Sequence, residues 1–492
     1  MIHTAQVYHV SAYSSTPALA IAPCLHYDTI MRKQRSRRRR LRILRFTFFI
    51  SLVALILSLC ALFILTRGRA RYAPVRETAD LVTGDHPDAS ASSPSALPET
   101  IEAPSANTVT QGGFTPAPDT TAQAPAEASV TGAVVPDDLL STRTDAGLTD
   151  ERIAALLVEN RGLYYFDRLN ESEQRLYAEL FHIMTSLSTN VYLSEKDADV
   201  IEKVQNCVMN DHPEIFYITG YYSTRYTIGN ETVGYAFTGR SPIDAAEIAR
   251  RREQIEQYVN NCLAGVNPGW DDYGKIRYIY DYLITNTSYN LQAPDNQNIC
   301  SVMIGRQSVC QGYAKAAQLL LNRLGIPCTL VIGTANSSSL SGPHAWNVVY
   351  SGGNWYHLDV TWGDAAFRDA NQQSEGTNYD YLLTTTADIS ATHTIETVVE
   401  MPYCDHLDDN YYVREGAYFS EASLQAFSDL ASRKHSEGAD CVRFKCATQD
   451  IYTQMISLLI DEKHIFDYIY KAPGESLLFT RSDAQRSFTV WF

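Results

Sequence analysis

The stretch Ser308-Val309-Cys310-Gln311-Gly312-Tyr313-Ala314 is followed by His344-Ala345-Trp346 and then by His357-Leu358-Asp359. A thiol, an imidazole and a carboxylate therefore occur in this order within about fifty residues. Nucleophilic acyl chemistry needs these three groups, because the nucleophile loses a proton to a base and the base must be held in orientation. The sequence around each group predicts the structural element that carries it.

The cysteine lies at the predicted start of a helix. After Cys310, small and apolar residues recur at helical spacing, and Gly325 and Pro327 are typical stop signals. The dipole of a helix favours a thiolate in its first turn, and the unpaired backbone N–H groups there can receive a developing oxyanion. For Cys310 taken alone, a buried structural cysteine is the alternative interpretation.

The imidazole and the carboxylate lie on a predicted hairpin. Residues 344–350 and 355–362 alternate and flank a turn signal, Ser351-Gly352-Gly353-Asn354. If Tyr350 pairs with Trp355, His344 faces Thr361, and Asp359 lies diagonally from His344 on the same face, roughly 7–8 Å away at Cα. A slip of one residue would place the two on opposite faces. The spacing does not predict that Cys310 meets them, because that contact depends on the tertiary fold.

Four sequence runs together resemble the transglutaminase-like superfamily of papain-type cysteine enzymes. The runs are Val309-Cys310-Gln311-Gly312-Tyr313-Ala314, Gly325-Ile326-Pro327, His344-Ala345-Trp346-Asn347 and Asp359-Val360-Thr361-Trp362. The resemblance covers roughly residues 270 to 365. It implies an α+β core in which the nucleophile's helix packs on an antiparallel sheet. It also implies that Cys310 is the nucleophile, His344 the general base and Asp359 the residue that orients the base.

Other histidines compete for the role of base. His357 shares the strand face of Asp359, but the predicted register makes it face Val348, farther round the hairpin. His212, His393 and His406 are interpreted as structural or solvent-facing, although His393 follows the predicted core closely enough to line a cleft.

A membrane-spanning helix is predicted over residues 46–66, a run of 21 residues without charge that is rich in Leu, Ile and Phe. Nine basic residues crowd residues 32–45, whereas four follow the span up to Arg76. This excess predicts a cytoplasmic basic tail at residues 1–45 and an extracytoplasmic remainder at the plasma membrane, crossed once. A cleaved signal peptide is the alternative, although no clear cleavage site ends the run. Because residues 1–30 carry no Lys or Arg, we also hypothesise that Met31 is the natural start.

The segment after the span is predicted to be a flexible linker. Residues 67–148 are rich in Ala, Pro, Ser and Thr and show little periodicity, so they offer too little apolar surface to fold. A folded region in three parts is predicted to follow: an N-terminal α/β module at 149–270, the transglutaminase-like core at 271–395 and a C-terminal α/β module at 396–492. Within the last module, a strand at 442–446, a helix at 448–462 and a final strand at 487–492 are predicted.

The net charge of the chain argues against some classes of partner. Residues 1–71 carry a net charge of +11 and the whole chain carries −16, which leaves −27 for residues 72–492. An ectodomain this acidic argues against nucleic acid and against lipid headgroups as partners.

Eight cysteines lie beyond the predicted span. They are interpreted mostly as buried thiols, and no close Cys/His pair has zinc spacing.

These patterns predict a membrane-tethered cysteine acyl enzyme that forms a thioester on protein or wall-peptide amides at the cell surface. The chemistry requires no metal or organic cofactor. Hydrolysis is favoured over amine transfer, because water needs no dedicated acceptor site. A non-catalytic envelope-binding module that keeps the fold and a structural stalk protein are the alternatives.

Overall fold

A computed structural model describes residues 127–129, 137–228, 231–336, 341–364, 376–470 and 477–492. Buried apolar side chains from Leu148 to Val490 form one continuous cluster across these ranges. The three parts predicted for the folded region therefore share a hydrophobic core. The architecture is α+β, as the sequence predicts.

The first part of the folded region combines helices with a small sheet. Its helices are α1 (Asp137–Asp145), α2 (Asp150–Glu159), α3 (Glu171–Ser186), α4 (Ala198–Asp211) and α5 (Ala245–Leu263). Its strands are β1 (Glu127–Ser129), β2 (Val191–Tyr192), β3 (Gly220–Ile228) and β4 (Glu231–Arg240), in the order β1-β3-β4-β2. Helix α3 starts at a reciprocal cap, in which Asn170 and Glu173 each accept a hydrogen bond from the other's backbone N–H.

The central part packs helices on a five-stranded sheet. The helices are α6 (Asp272–Asn286), α7 (Ile299–Met303), α8 (Cys310–Arg323), α9 (Val360–Gly363) and α10 (Thr386–Ile389). The sheet has the order β10-β9-β8-β7-β11 and contains β7 (Cys328–Asn336), β8 (Ser341–Ser351), β9 (Asn354–Leu358), β10 (Leu382–Thr384) and β11 (His393–Ile395). Its neighbouring strands are antiparallel. A parallel pair, β5 (Ser288–Tyr289) and β6 (Gln307–Ser308), lies just before α8 in the chain.

The last part combines a further four-stranded sheet with helices. Its strands are β12 (Tyr418–Phe419), β13 (Cys441–Cys446), β14 (Phe479–Ser482) and β15 (Ser487–Trp491), in the order β12-β13-β15-β14. Its helices are α11 (Tyr411–Arg414), α12 (Leu424–Ser436) and α13 (Gln449–Ile456). The predicted helix at 448–462 is α-helical only to Ile456, and a π-helical turn, Ser457–Asp461, continues it.

The folded region begins earlier than the sequence predicts. The linker was predicted to run to residue 148, but residues 137–145 form α1, and Glu127–Ser129 pair in parallel with Arg225, Tyr226 and Thr227 of β3. The composition of the sequence does not predict this early start, because α1 is only weakly apolar. Its Thr142 side chain instead accepts a hydrogen bond from the Tyr192 backbone N–H, and Arg143 donates to Glu179.

The membrane prediction falls outside the part of the chain that the structure describes. The basic tail at residues 1–45, the span at 46–66, the hypothesis about Met31 and most of the linker all lie there. None of the helices within the described ranges combines the length and apolar character that crossing a bilayer requires.

Candidate active site

Cys310 is the first residue of α8, as the helical spacing predicts. The residue before it, Val309, caps the helix without a side-chain hydrogen bond, so no side chain at that position occupies the N–H groups of the first turn. Cys310 is 8% exposed and packs beside Ala314, Leu330 and Ala345. The candidate nucleophile therefore lies on the core side of a helix start.

Gly312 lets this helix start approach the preceding segment closely. A Cβ atom at Gly312 would lie 2.0 Å from Ser308 Oγ and 2.6 Å from Ser301 Oγ. These two hydroxyls are themselves 2.6 Å apart and buried. The glycine two residues after Cys310 is thus required by packing, because any side chain would push α8 away from α7 and β6.

The hairpin forms in the predicted register. Tyr350 pairs with Trp355, and Val348 pairs with His357. The ladder, however, ends at Leu358, so the predicted strand over 355–362 is wrong beyond that point and His344 does not face Thr361. Asp359 instead begins the short helix α9, and its Oδ1 accepts a hydrogen bond from the Trp362 backbone N–H at 3.0 Å.

His344 and Asp359 nevertheless meet. Nε2 of His344 lies 2.7 Å from Oδ2 of Asp359, and both side chains are buried. A hydrogen bond between His344 and the Cys310 thiol adds to the interactions that set the pKa of the imidazole. Since Nε2 faces Asp359, Nδ1 is the ring nitrogen left for the thiol. The structure therefore brings together all three residues that the sequence singles out.

The electrostatics of this group favour a charged pair. Burial lowers the pKa of His344, but the opposing charges of Asp359 and Cys310, together with hydrogen bonds to both, raise it to about 10. Burial likewise raises the pKa of Asp359, but the charge of His344 and hydrogen bonds from His344 and His393 hold it well below its usual range. Asp359 is therefore ionised, and its charge stabilises the imidazolium that forms when His344 takes a proton.

His393 is a site residue that the sequence analysis interpreted as structural or solvent-facing, although near enough to the core to line a cleft. It lies on β11, opposite Ala335 of β7, and its Nε2 is 3.0 Å from the same Asp359 Oδ2 that contacts His344. Its Nδ1 is 2.8 Å from Thr392 Oγ1. Local patterns carry no signal for this contact, because β11 reaches the site only through its pairing with β7.

His357, the alternative base, is engaged elsewhere. Its Nδ1 accepts a hydrogen bond from Trp346 Nε1 at 3.1 Å, and its Nε2 lies 3.1 Å from Thr386 Oγ1. Burial lowers the pKa of His357 to about 3, so the ring is neutral. His357 is a core residue of the sheet.

Aromatic rings enclose the site. The ring of Trp362 lies 4.8 Å from that of His393, and Trp346 lies 5.0 Å from it. On another side, Tyr289 pairs with Ser308, and the pKa of its phenol is raised by burial and by the charges of Cys310 and Asp359. Tyr289 is thus a further residue near the thiol that the sequence did not predict.

The donor atoms of His344, Asp359 and His393 all lie within 4.8 Å of one another, close enough to consider a metal ion. The contacts of 2.7 and 3.0 Å to Oδ2 are hydrogen-bond distances, and both imidazoles reach the same oxygen. We therefore interpret the cluster as a hydrogen-bonded network around one carboxylate.

The eight cysteines of the described region are all free and buried. This confirms their interpretation as buried thiols. Burial raises the pKa of Cys207, Cys262, Cys404 and Cys446 to about 12 in each case. These thiols are poor candidates for reaction at neutral pH.

Residues 257–360 match the family model described as the transglutaminase-like superfamily. The chain contains a transglutaminase-like domain. It is also distantly similar to kyphoscoliosis peptidase, with 27% identity to the mouse protein (Mus musculus) and 29% to the human protein (Homo sapiens), each over 105 residues. That stretch is 19% of this chain and 16% of each relative, so the chain spans under a fifth of the length of the relatives it matches.

Among solved structures, the chain is similar to a putative cysteine protease from Cytophaga hutchinsonii, with 15% identity and a TM-score of 0.21. That likeness covers 36% of this chain and 70% of the other. The family match and the observed core agree with the fold that the sequence resemblance implies.

Proposed function

We propose that this protein is a membrane-tethered, extracytoplasmic cysteine acyl enzyme that acts on amides of proteins or wall peptides. The observation that carries the proposal is the chain of contacts from Cys310 through His344 to Asp359, with a distance of 2.7 Å between His344 Nε2 and Asp359 Oδ2. A cysteine at a helix start, a base with one nitrogen free and a buried carboxylate behind it are the groups that thioester chemistry uses.

In the proposed reaction, His344 takes the proton of Cys310 and the thiolate attacks the amide carbonyl carbon. The carbonyl oxygen becomes an oxyanion that backbone N–H groups of the first turn of α8 can receive. The C–N bond then breaks, His344 gives its proton to the leaving amine, and the acyl group remains on sulfur as a thioester. Water attacks the thioester, which releases a carboxylic acid and restores the thiol.

Hydrolysis is the outcome we favour, because a second amine would need an acceptor site of its own. The similarity to a peptidase in mouse and human agrees with that choice. The proposed location follows from the apolar run at residues 46–66 and the basic residues before it. No nucleic-acid partner and no cofactor are part of the proposal.

The test is the rate at which Cys310 is alkylated by iodoacetamide as pH is varied, followed by peptide mass spectrometry in the purified full-length protein. We expect an apparent pKa well below the ~8.5 of a free thiol. His344→Ala is expected to remove this reactivity and to slow alkylation at neutral pH on the order of 100-fold.

His357→Ala is the matched control, because it removes a buried histidine from the same sheet that contacts neither Cys310 nor Asp359 in the bonds described above. A Cys310 that titrates like free cysteine in the wild type, or an equal loss in both variants, would contradict an activated pair. Those results would favour a binding module that keeps the fold.

A further inference from the structure

The Asp359 carboxylate accepts more hydrogen bonds than orienting His344 requires. Oδ1 accepts from the Trp362 backbone N–H, whereas Oδ2 is shared by Nε2 of His344 and Nε2 of His393. The side chains of Asp359 and His393 are 1% and 0% exposed. The carboxylate is therefore held by protein groups on each of its oxygens.

The partners of His393 fix where its proton lies. A bare ring nitrogen facing an ionised carboxylate would be repelled, so Nε2 carries hydrogen and donates to Oδ2. Burial lowers the pKa of His393, and the hydrogen bond and charge of Asp359 only partly oppose this, so the ring is neutral. Its Nδ1 lies 2.8 Å from the hydroxyl of Thr392, which also lies 3.3 Å from the carbonyl oxygen of Ile389.

Asp359 and His344 are the two charged residues described around His393, and the other rings around it are uncharged. Asp359 and His344 face its Nε2 side, and the rings of Trp346, Trp362 and Tyr381 lie within 5.7 Å of its ring. His357, whose pKa the charge of His393 would lower, is neutral. A neutral donor in this position supports the carboxylate without competing with the imidazolium of His344 for its charge.

We propose that His393 is a positioning residue, which fixes the Asp359 carboxylate against His344 so that the nitrogen facing Cys310 stays free to accept the thiol proton. The inference rests on the proposed function. Without His393, Oδ2 would lose a donor, the carboxylate could turn about its side-chain bond, and His344 would lose part of its orientation. Thr392 lies one step further out, because its hydroxyl contacts Nδ1 of His393.

The experiment compares four full-length variants: His393→Ala, His393→Gln, His357→Ala and Thr392→Val. Alkylation of Cys310 is measured across pH, thermal melting reports folding, and the NMR signal of the proton on Nε2 of His344 reports the hydrogen bond to Asp359. Gln is chosen because its side-chain amide can restore an N–H donor near the position of Nε2. His357→Ala creates a comparable cavity without touching Asp359.

We expect His393→Ala to slow alkylation at neutral pH about tenfold, the effect of losing one hydrogen bond to a charged group. We also expect it to raise the apparent pKa of the reaction. His393→Gln should recover most of the rate, and His357→Ala should leave the pH profile at the wild-type position. If His393→Ala does not fold, Thr392→Val carries the test, with a smaller change in the same direction.

An unchanged pH profile and NMR signal in folded His393→Ala, or an equal shift in His357→Ala, would overturn the inference while leaving the proposed function intact. The proposed function fails in a different way, when wild-type Cys310 titrates as a free thiol and His344→Ala changes nothing. The NMR signal still decides in that case: a shift in His393→Ala supports the positioning role, and no shift removes it.

Discussion

Two buried aspartates of this protein behave in opposite ways. Asp359 in the candidate site and Asp211 at the end of α4 are 1% and 5% exposed, and each accepts three hydrogen bonds. Yet the pKa of Asp359 is held well below its usual range, whereas burial, only partly opposed by hydrogen bonds and by the charge of His212, raises that of Asp211 to about 6.

The difference lies in the partners. Asp211 accepts from the backbone N–H groups of Tyr165 and Phe166 and from the hydroxyl of Tyr177, which are neutral donors. It is also the last residue of its helix, where the helix dipole disfavours a negative charge. Asp359 stands at the start of a helix and faces His344, whose charge repays the cost of burial. The number of hydrogen bonds does not decide whether a buried carboxylate is ionised; the charge of its partners does.

The largest effect on the reactivity of Cys310 is expected from Asp359→Asn, which removes the charge that distinguishes Asp359 from Asp211. The Asn amide group can cap α9 through its oxygen but must then point its NH2 group at the histidines. Nε2 of His344 would have to accept, so that Nδ1 would carry the hydrogen and could not take the proton of Cys310. We expect alkylation of Cys310 at neutral pH to fall on the order of 1000-fold.

Asp211→Asn is the matched control for this loss, because it neutralises the other carboxylate, which likewise accepts three hydrogen bonds. Its alkylation rate should remain within a few-fold of the wild type. Equal losses of reactivity in the two variants would mean that reactivity follows overall stability and not the charge beside His344.

The parts of the site that the sequence predicts are those fixed by local pattern. The apolar spacing after Cys310 and the stop at Gly325, which adopts a φ of +76°, define α8 correctly. The turn at Ser351-Gly352-Gly353-Asn354 sets the register of the hairpin, in which Tyr350 does pair with Trp355. These features depend on residues that are near neighbours in the chain.

The sequence-based prediction of the site fails where a side chain competes for the backbone hydrogen bonds between strands, or where strands distant in the chain meet. The carboxylate of Asp359 takes a backbone N–H three residues later, which ends the strand and starts a helical turn. His393 lies 34 residues beyond Asp359 and reaches it through the pairing of β11 with β7. Alternation within a strand cannot reveal either event. The Cys310–His344 contact likewise required the packing of α8 on the sheet.

Asp211→Asn also tests the raised pKa of Asp211, because that pKa makes the free energy of unfolding depend on pH. A carboxyl whose folded pKa of about 6 exceeds its ordinary 3.8 contributes stability below pH 4, and that contribution is lost as pH rises through 6. We expect wild type to lose roughly 2 kcal/mol from this group between pH 4 and 6. The variant should lack that slope, although it also loses a hydrogen bond from a backbone N–H.

The measurement is the free energy of unfolding by denaturant at pH 4, 5, 6 and 7 for both proteins. The contribution of Asp359 to stability depends on pH in the opposite direction. It is present above the ordinary pKa of the carboxyl and is lost only as pH falls below about 4. A difference between wild type and Asp211→Asn that does not change over pH 4–6 would show that Asp211 is ionised throughout.

Tyr177→Phe makes the smallest change, because it removes one neutral donor from Asp211 and leaves the ring in place. The hydroxyl lies 3.1 Å from Oδ2, and Phe166 N–H donates to the same oxygen at 2.9 Å. We expect a loss of about 1 kcal/mol in the free energy of unfolding at pH 7 and a further rise in the pKa of Asp211. The slope of stability over pH 4–6 should therefore extend to higher pH, with the alkylation rate of Cys310 unaltered. A variant whose slope moved to lower pH would mean that the hydroxyl destabilises the ionised carboxylate, and the two aspartates would then differ for a reason other than the charge of their partners.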